Sequence, residues 1–361
     1  MINFIPLQHY YEVYIYFTLC LVIINLLHGY SLNLDHDKNL KFLRSTGFIL
    51  LVLIILYIGL RPISGYAFGD MITYARYYNG YMMGAEITSN KDVFFHYYMK
   101  AASQIMGVHA FFLITTFIYV WPMYLLSKVH FKEYWFYSFL MFIVSFSFFS
   151  YGTNGIRNGL ATSLFLWGLC YTRKKIIMSF FFLIAMLLHK TLLLPIAAFG
   201  LTYLYNVPKT YFKLWLFAIP LSFFLGSLFI ALFTSLGFGD DRLTAYLSGT
   251  SQTDTRFRWD FLFYSAFPVF AGYYFIFIKK FNDVFYNQIL ITYLICNGFW
   301  ILVIRANFSN RFAYLSWFLM AIIIIYPLLK QKFFNNQQLI IAKVVTAYFL
   351  FTFLMFFIYY A

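Results

Sequence analysis

Apolar stretches close to the length of a bilayer crossing recur from one end of the chain to the other, separated by short polar turns. The pattern predicts twelve membrane segments, at 11–30, 43–60, 108–127, 134–151, 155–172, 176–189, 190–205, 212–235, 261–278, 285–304, 312–329 and 339–360. The expected fold class is therefore all-α, a polytopic helical membrane protein forming one integral membrane domain over residues 1–361. Period-2 alternation of the kind a membrane β-barrel needs is not found. Two longer segments interrupt the spans, 61–107 and 236–260. The pair 176–205 is unusual. Each half is short, and Pro195 follows a break at His189 and Lys190. Broken helices at membrane depth are tolerated where they line a protein cavity.

Composition excludes a soluble domain: 63% of residues are hydrophobic and 11% are charged. Phenylalanine (49) and tyrosine (33) fill helix faces and interfacial belts. The first residues lack a basic region and a small-residue cleavage site, so no signal peptide is expected to be removed. Cys20, Cys170 and Cys296 all fall within predicted spans. They form neither a disulfide framework nor a zinc pattern. The net charge of +14 reads as membrane anchoring plus a function on the far side, and not as nucleic-acid binding.

The basic residues separate by type. Threading twelve spans puts Lys38, Lys41, Arg44, Lys128, Lys132, Arg173, Lys174, Lys175, Lys209, Lys213, Lys279, Lys280, Lys330, Lys332 and Lys343 on one side, which the positive-inside rule makes cytoplasmic. That side takes 13 of 16 lysines but 2 of 10 arginines. Eight arginines fall on the outer side, where a planar guanidinium fork suits phosphate or carboxylate. Two explanations compete: an anionic ligand on that side, or pairing with the eight outer acids, Glu12, Asp70, Glu86, Asp92, Asp240, Asp241, Asp254 and Asp260.

Several outer positions invite chemistry. Arg157 starts a helix after the turn "GTNG", in "NGIRNGLATSLFLWGLCYTRKK". A guanidinium at a helix N-terminus adds to the partial positive charge of the free N–H groups, which favours an anion and disfavours stability. A snorkelling role is the alternative. His189 sits at the break in "IAMLLHKTLLLPI", as a general base, a sugar-hydroxyl partner or a satisfied structural residue. Arg256, Arg258 and Asp260 lie in "TRFRWD"; Arg305 and Arg311 lie in the short turn "IRANFSNRFAYLSW" with no local acid. In the first loop, Gly69-Asp70 precedes Tyr74, Tyr77, Tyr78 and Tyr81, and residues 94–106 carry helical spacing suited to an interfacial helix. No Walker A, GxGxxG, HExxH or paired CxxC is present, so neither a nucleotide cofactor nor a metal is expected.

Four segments together resemble the EpsG-like and Wzy-type bacterial polysaccharide polymerases, including O-antigen polymerases. They are Arg61 with Gly69-Asp70 and Tyr74, "GIRNGLATSLFLWGLCYTRKK", "AMLLHKTLLLPI" and "SNRFAYLSWFLMAIIIIYP". The resemblance implies a GT-C-like membrane glycosyltransferase in the bacterial inner membrane, with its active site facing the periplasm. The donor would be a growing glycan on undecaprenyl pyrophosphate. The acceptor would be the sugar hydroxyl of a lipid-linked repeat unit, and a separate chain-length regulator would be a partner. In that chemistry Arg157, Arg305 and Arg311, then Arg61, Arg256 and Arg258, are the expected pyrophosphate ligands. His189 and Asp70 are candidate bases, and Tyr74, Asn158 and Asp260 are sugar partners. A flippase for lipid-linked oligosaccharide, an O-antigen ligase and a membrane acyltransferase are the rival readings.

Overall fold

A computed structural model of the chain describes residues 2, 4–90, 92–233, 257–306 and 309–360. The described residues are helical, with no strand among them. Eight helical segments are long and apolar enough to cross a membrane: Leu7–Ser31, Asp37–Gly59, Val108–Ile143, Pro208–Leu232, Trp259–Ile278, Val284–Leu302, Asn310–Lys330 and Gln337–Tyr359. The protein is therefore a multi-pass membrane protein. Twelve spans were expected; eight helical segments among the described residues meet the length and apolarity of a crossing. Between residues 134 and 205 the helices are shorter, and the chain leaves helical geometry at Gly155 and at His189. The second long segment, 236–260, lies almost wholly outside the described residues.

The chain divides into two compact units, Met1–Leu192 with Leu328–Ala361, and Leu193–Pro327. The first unit opens with α1 (Tyr10–Ser31) and α2 (Asp37–Gly59). Pro62 disfavours helical geometry in the residue before it, and α2 stops at Gly59. Three helices then fill the first loop: α3 (Gly65–Phe68), α4 (Met71–Met82) and α5 (Val93–Ser103). The last overlaps the stretch 94–106, where helical spacing was expected. The others fold because Ser64 Oγ accepts the Ala67 N–H at 3.2 Å, capping α3, and because the tyrosines of α4 bury Tyr74, Tyr78 and Tyr81 on one face.

α6 (Val108–Phe131) runs into α7 (Trp135–Ile143), α8 (Phe148–Thr153), α9 (Ile156–Leu169) and α10 (Lys175–Leu188). Tyr119 of α6 ties the short pieces together. Its hydroxyl donates to the Phe148 carbonyl at 2.9 Å, and its own carbonyl accepts from Ser163 Oγ at 2.6 Å. Such interhelical bonds replace the hydrophobic drive that lipid does not supply. The helix Gln337–Tyr360 packs against α1 and α7, where Thr352 Oγ1 donates to the Val144 carbonyl at 2.8 Å.

The two ends of this unit are chemically distinct. At one end Arg44 meets Glu133 at 3.2 Å, Tyr134 donates to Asp35, and Gln338 Nε2 donates to Asn39 Oδ1 at 3.1 Å. These residues come from loops that threading assigns to the lysine-rich side. The opposite set of loops is joined by Arg61, Asp70, Asp92, Asn154, Arg157 and His189.

In the second unit, α11 (Leu193–Leu204) and α12 (Pro208–Phe233) pack on the helix Val284–Leu302. Asp283 Oδ1 caps that helix by accepting the Tyr286 N–H at 2.8 Å. Pro195 falls in the first turn of α11, where the missing N–H costs nothing.

Gly159 sets how closely α8 approaches α9. A Cβ there would meet the Tyr151 carbonyl oxygen inside van der Waals contact and Tyr119 Cε2 at 3.1 Å. Gly159→Ala is expected to force the break open and to destabilise the fold by about 1–3 kcal/mol, as overpacking does. Thermal unfolding in detergent checks this; an unchanged melting temperature would show that the approach is not constrained.

Candidate functional site

The site is built at two helix breaks. The first separates α8 from α9 at Asn154 and Gly155. Asn154 Oδ1 accepts the Asp70 N–H at 2.9 Å, which pins the first loop to the break. That approach requires Gly69. Its φ is +49°, and a Cβ would lie 2.5 Å from Asn154 Oδ1. On the inner side Arg61 is 1% exposed. It donates from Nη1 to the Ile58 carbonyl and from Nη2 to the Thr153 carbonyl at 3.1 Å, and its guanidinium lies 5.5 Å from the Phe68 ring centroid. Arg61 therefore braces the end of α8 against the end of α2. Arg61 also lines a cavity of about 10 Å³, room for about one water, and its buried Nε has no hydrogen-bond partner among the described residues.

Arg157 follows in the first turn of α9. Its Nε donates to the Tyr74 hydroxyl at 3.0 Å, and its Nη1 donates to Asp92 Oδ2 at 2.8 Å. The second break, at the end of α10, brings His189 in extended geometry, with Nδ1 3.3 Å from Asp92 Oδ2. Asp92 thus stands between a guanidinium and an imidazole. Its own backbone is left-handed (φ 46°, ψ 44°), a conformation Asp tolerates better than most residues. Burial pushes its pKa up. The hydrogen bond and charge of His189, the charge of Arg157 and a backbone N–H of Lys190 outweigh this, so the carboxyl titrates below its usual range.

The arrangement answers the unfavourable placement of Arg157. A cation at a helix N-terminus opposes the helix dipole, and Asp92 supplies the compensating negative charge. The side chain of Arg157 remains 31% exposed, and its Nη2 makes no hydrogen bond among the described residues. Nearby, Tyr81 and His96 share a hydrogen bond at 2.8 Å. Burial, helped by the Arg157 charge, lowers the His96 pKa and keeps that imidazole neutral. The group combines a reachable guanidinium, an imidazole and a shared carboxylate.

A model of the EpsG family matches residues 44–361. The chain belongs to the EpsG family. Comparisons with curated proteins and with solved structures gave no match.

Several expected site residues of this EpsG-family protein take other positions. Asp70 is exposed and bonds through its backbone, with its charge felt at Arg157. Tyr74 is buried with its ring edge-on to Phe95, and its hydroxyl holds Arg157. Asn158 is buried in the first turn of α9, and its Oδ1 has no hydrogen-bond partner among the described residues. In the second unit, Arg258 clasps Asp260 with two hydrogen bonds of 2.9 and 2.7 Å and stacks 3.5 Å from the Phe261 centroid. These two neutralise each other, which matches pairing with an outer acid. Arg305 lies 5.6 Å over Phe223 with its Nε buried and unbonded. Arg311 is exposed on the helix Ser309–Trp317. Arg256 falls outside the described residues.

Asp92 is the residue the sequence undervalued. It counted as one outer acid among eight, and its place before a helical run marks it as a helix cap. It makes no side-chain cap bond, and that released carboxylate is what the site uses. Among the described residues, no group of three or more His, Cys, Asp or Glu side chains could hold a metal ion.

Because the folded pKa of Asp92 lies below the unfolded one, its stabilisation is complete above about pH 4 and is lost as the pH falls through the folded value. The melting-temperature gap between wild type and Asp92→Asn is expected to persist from neutral pH down to about pH 4 and to close below it. A gap unchanged at pH 2 would contradict the assigned ion pair.

Proposed function

We propose that this protein is a polysaccharide polymerase of the O-antigen type, transferring a growing glycan from undecaprenyl pyrophosphate to a sugar hydroxyl of a lipid-linked repeat unit. The observation that carries the reading is the partly exposed Arg157 at the start of α9, joined through Asp92 to His189 at a neighbouring break. The acceptor hydroxyl attacks the donor's anomeric carbon, and the bond to the pyrophosphate oxygen breaks with its electron pair. Negative charge grows on the leaving diphosphate, where a fixed guanidinium stabilises it. His189 takes the hydroxyl proton. Asp70, exposed beside the same break, is the second candidate base.

In this reading Arg157 is the principal phosphate ligand, and Arg305, Arg311 and Arg256 of the second unit are candidate ligands by residue type alone. Arg61 and Arg258 brace their own units, and Tyr74, Asn158 and Asp260 are the candidate sugar partners. Twelve segments cross the bacterial inner membrane in a GT-C-like architecture. The Arg157 end faces the periplasm, opposite the lysine-rich loops. Chain length is set with a separate regulator.

A flippase for the same lipid is the second reading. Transporters of that kind place matched broken helices in corresponding positions of two related halves. The breaks at Asn154 and His189 instead belong to consecutive helices of one unit, α9 and α10. A ligase shares the donor chemistry and differs in its acceptor, lipid A core.

Purified protein in nanodiscs is expected to lengthen lipid-linked repeat units with EDTA present and no nucleotide added; a flippase yields no longer glycan. Arg157→Ala is expected to lower extension by about 100- to 1,000-fold, the loss typical of one transition-state donor. In cells it should leave lipid A capped by single repeats. Arg157→Lys is expected to fail as well, since an ammonium cannot hold Tyr74 and Asp92 in the same fork. Long polymer from Arg157→Ala would overturn the assignment.

A further inference from the structure

The geometry points to Asp92 as the residue that positions His189, by accepting the imidazole Nδ1–H and leaving Nε2 as the unprotonated, basic nitrogen. This rests on the glycosyl-transfer reading above.

Asp92 reaches partners from two other helices, 65 and 97 residues away in sequence. Its side chain is 11% exposed, and it accepts from Arg157 Nη1 at 2.8 Å while its Oδ2 lies 3.3 Å from His189 Nδ1. An ionised carboxylate only accepts hydrogen bonds. The imidazole nitrogen facing it must therefore carry hydrogen, and in a neutral imidazole that fixes the other nitrogen as the lone-pair site. The left-handed backbone at residue 92 carries a conformational cost, and the side chain gives up the capping role open to an Asp at a helix start. A conformation that costs energy and forgoes a cap serves the contacts it makes elsewhere.

The other imidazole near the site cannot take this part. His96 is one turn along α5 from Asp92, buried and engaged with the Tyr81 hydroxyl. His189 remains 24% exposed, so its free nitrogen is reachable. In the transfer step the acceptor hydroxyl gives its proton to His189 Nε2 as its oxygen bonds the anomeric carbon. The anomeric carbon–oxygen bond to the diphosphate breaks, and the imidazolium returns the proton to solvent. Asp92 keeps its charge throughout and stabilises the imidazolium. Arg157 ties the same carboxylate from the other side, so the group that receives the leaving phosphate and the group that takes the proton are set by one anchor.

Two measurements test this. Protein labelled with 15N-histidine in nanodiscs, with His189→Gln used to assign the signal, is expected to show neutral His189 protonated on Nδ1. Asp92→Asn is expected to move that proton to Nε2, because the amide of Asn can donate to Nδ1. In the extension assay, Asp92→Asn is expected to lower kcat by about 100- to 10,000-fold, the range seen when an orienting carboxylate is lost, with KM changed only a few-fold. Combined with His189→Gln it should cost clearly less than the product of the two single losses, the remainder being the share that Asp92 carries through Arg157. Wild-type His189 protonated on Nε2 overturns the proposal without requiring any variant to fold. Additive losses in the double variant overturn it also, and assign Asp92 to Arg157 alone. Wild-type protein that shows the expected tautomer yet extends no glycan overturns the reaction reading instead, so the two failures are told apart.

Discussion

The ion pair between Arg157 and Asp92, 2.8 Å long, is the contact on which the site depends. A guanidinium in the first turn of a helix stands against the dipole, and in a poorly solvated place the penalty grows. Asp92 reverses that sign. It places a negative charge where the N-terminal N–H groups favour one, and in doing so fixes how α5 meets α9. The Tyr74 hydroxyl adds a second hold on the same guanidinium at 3.0 Å, from α4. Three helices are thus registered by one side chain, and its position is settled before any ligand arrives.

The helix breaks are where irregular backbone becomes useful. The chain leaves helical geometry at Gly155 and at His189, and the side chain at each break meets a neighbour: Asn154 accepts the Asp70 N–H, and His189 meets Asp92. Backbone of this kind survives at membrane depth when protein surrounds it. Tyr119 and the close approach at Gly159 supply that enclosure from α6 and α8. Short helices between residues 135 and 188 are in this view a consequence of the site, since a continuous helix would carry Arg157 and His189 past their partners.

The sequence disclosed the membrane class, the family, the turn before Arg157 and the break at His189, because apolar runs, Gly-rich turns and a histidine–lysine pair before a proline are local signals. It also separated the two ends of the first unit, through lysine placement alone. It did not disclose Asp92. Nothing near residue 92 in the chain reports partners 65 and 97 residues away, and the Asp-then-apolar pattern reads as an ordinary cap. Hydropathy measures how apolar a stretch is, so it located the apolar runs without fixing how many of them are continuous crossings. Arg258 and Asp260, two residues apart, were the converse case: their pairing was available from the sequence, where the two were given separate ligand roles.

The excess of arginine over lysine on one side invited a single explanation, an anionic ligand. The structure divides that excess into different uses of the same fork. Arg61 spans two backbone carbonyls from separate helices, which needs two donors at fixed separation and not merely charge. Arg258 grips one carboxylate with two bonds. Both favour arginine over lysine on internal grounds, so arginine count overstates ligand number. Arg157 differs from both in its counter-charge. Arg61 meets backbone carbonyls and Arg258 a carboxylate two residues away, whereas Arg157 draws its carboxylate from the start of another helix and shares it with an imidazole. On the proposed reading, that sharing is what couples the anion-binding group to the base.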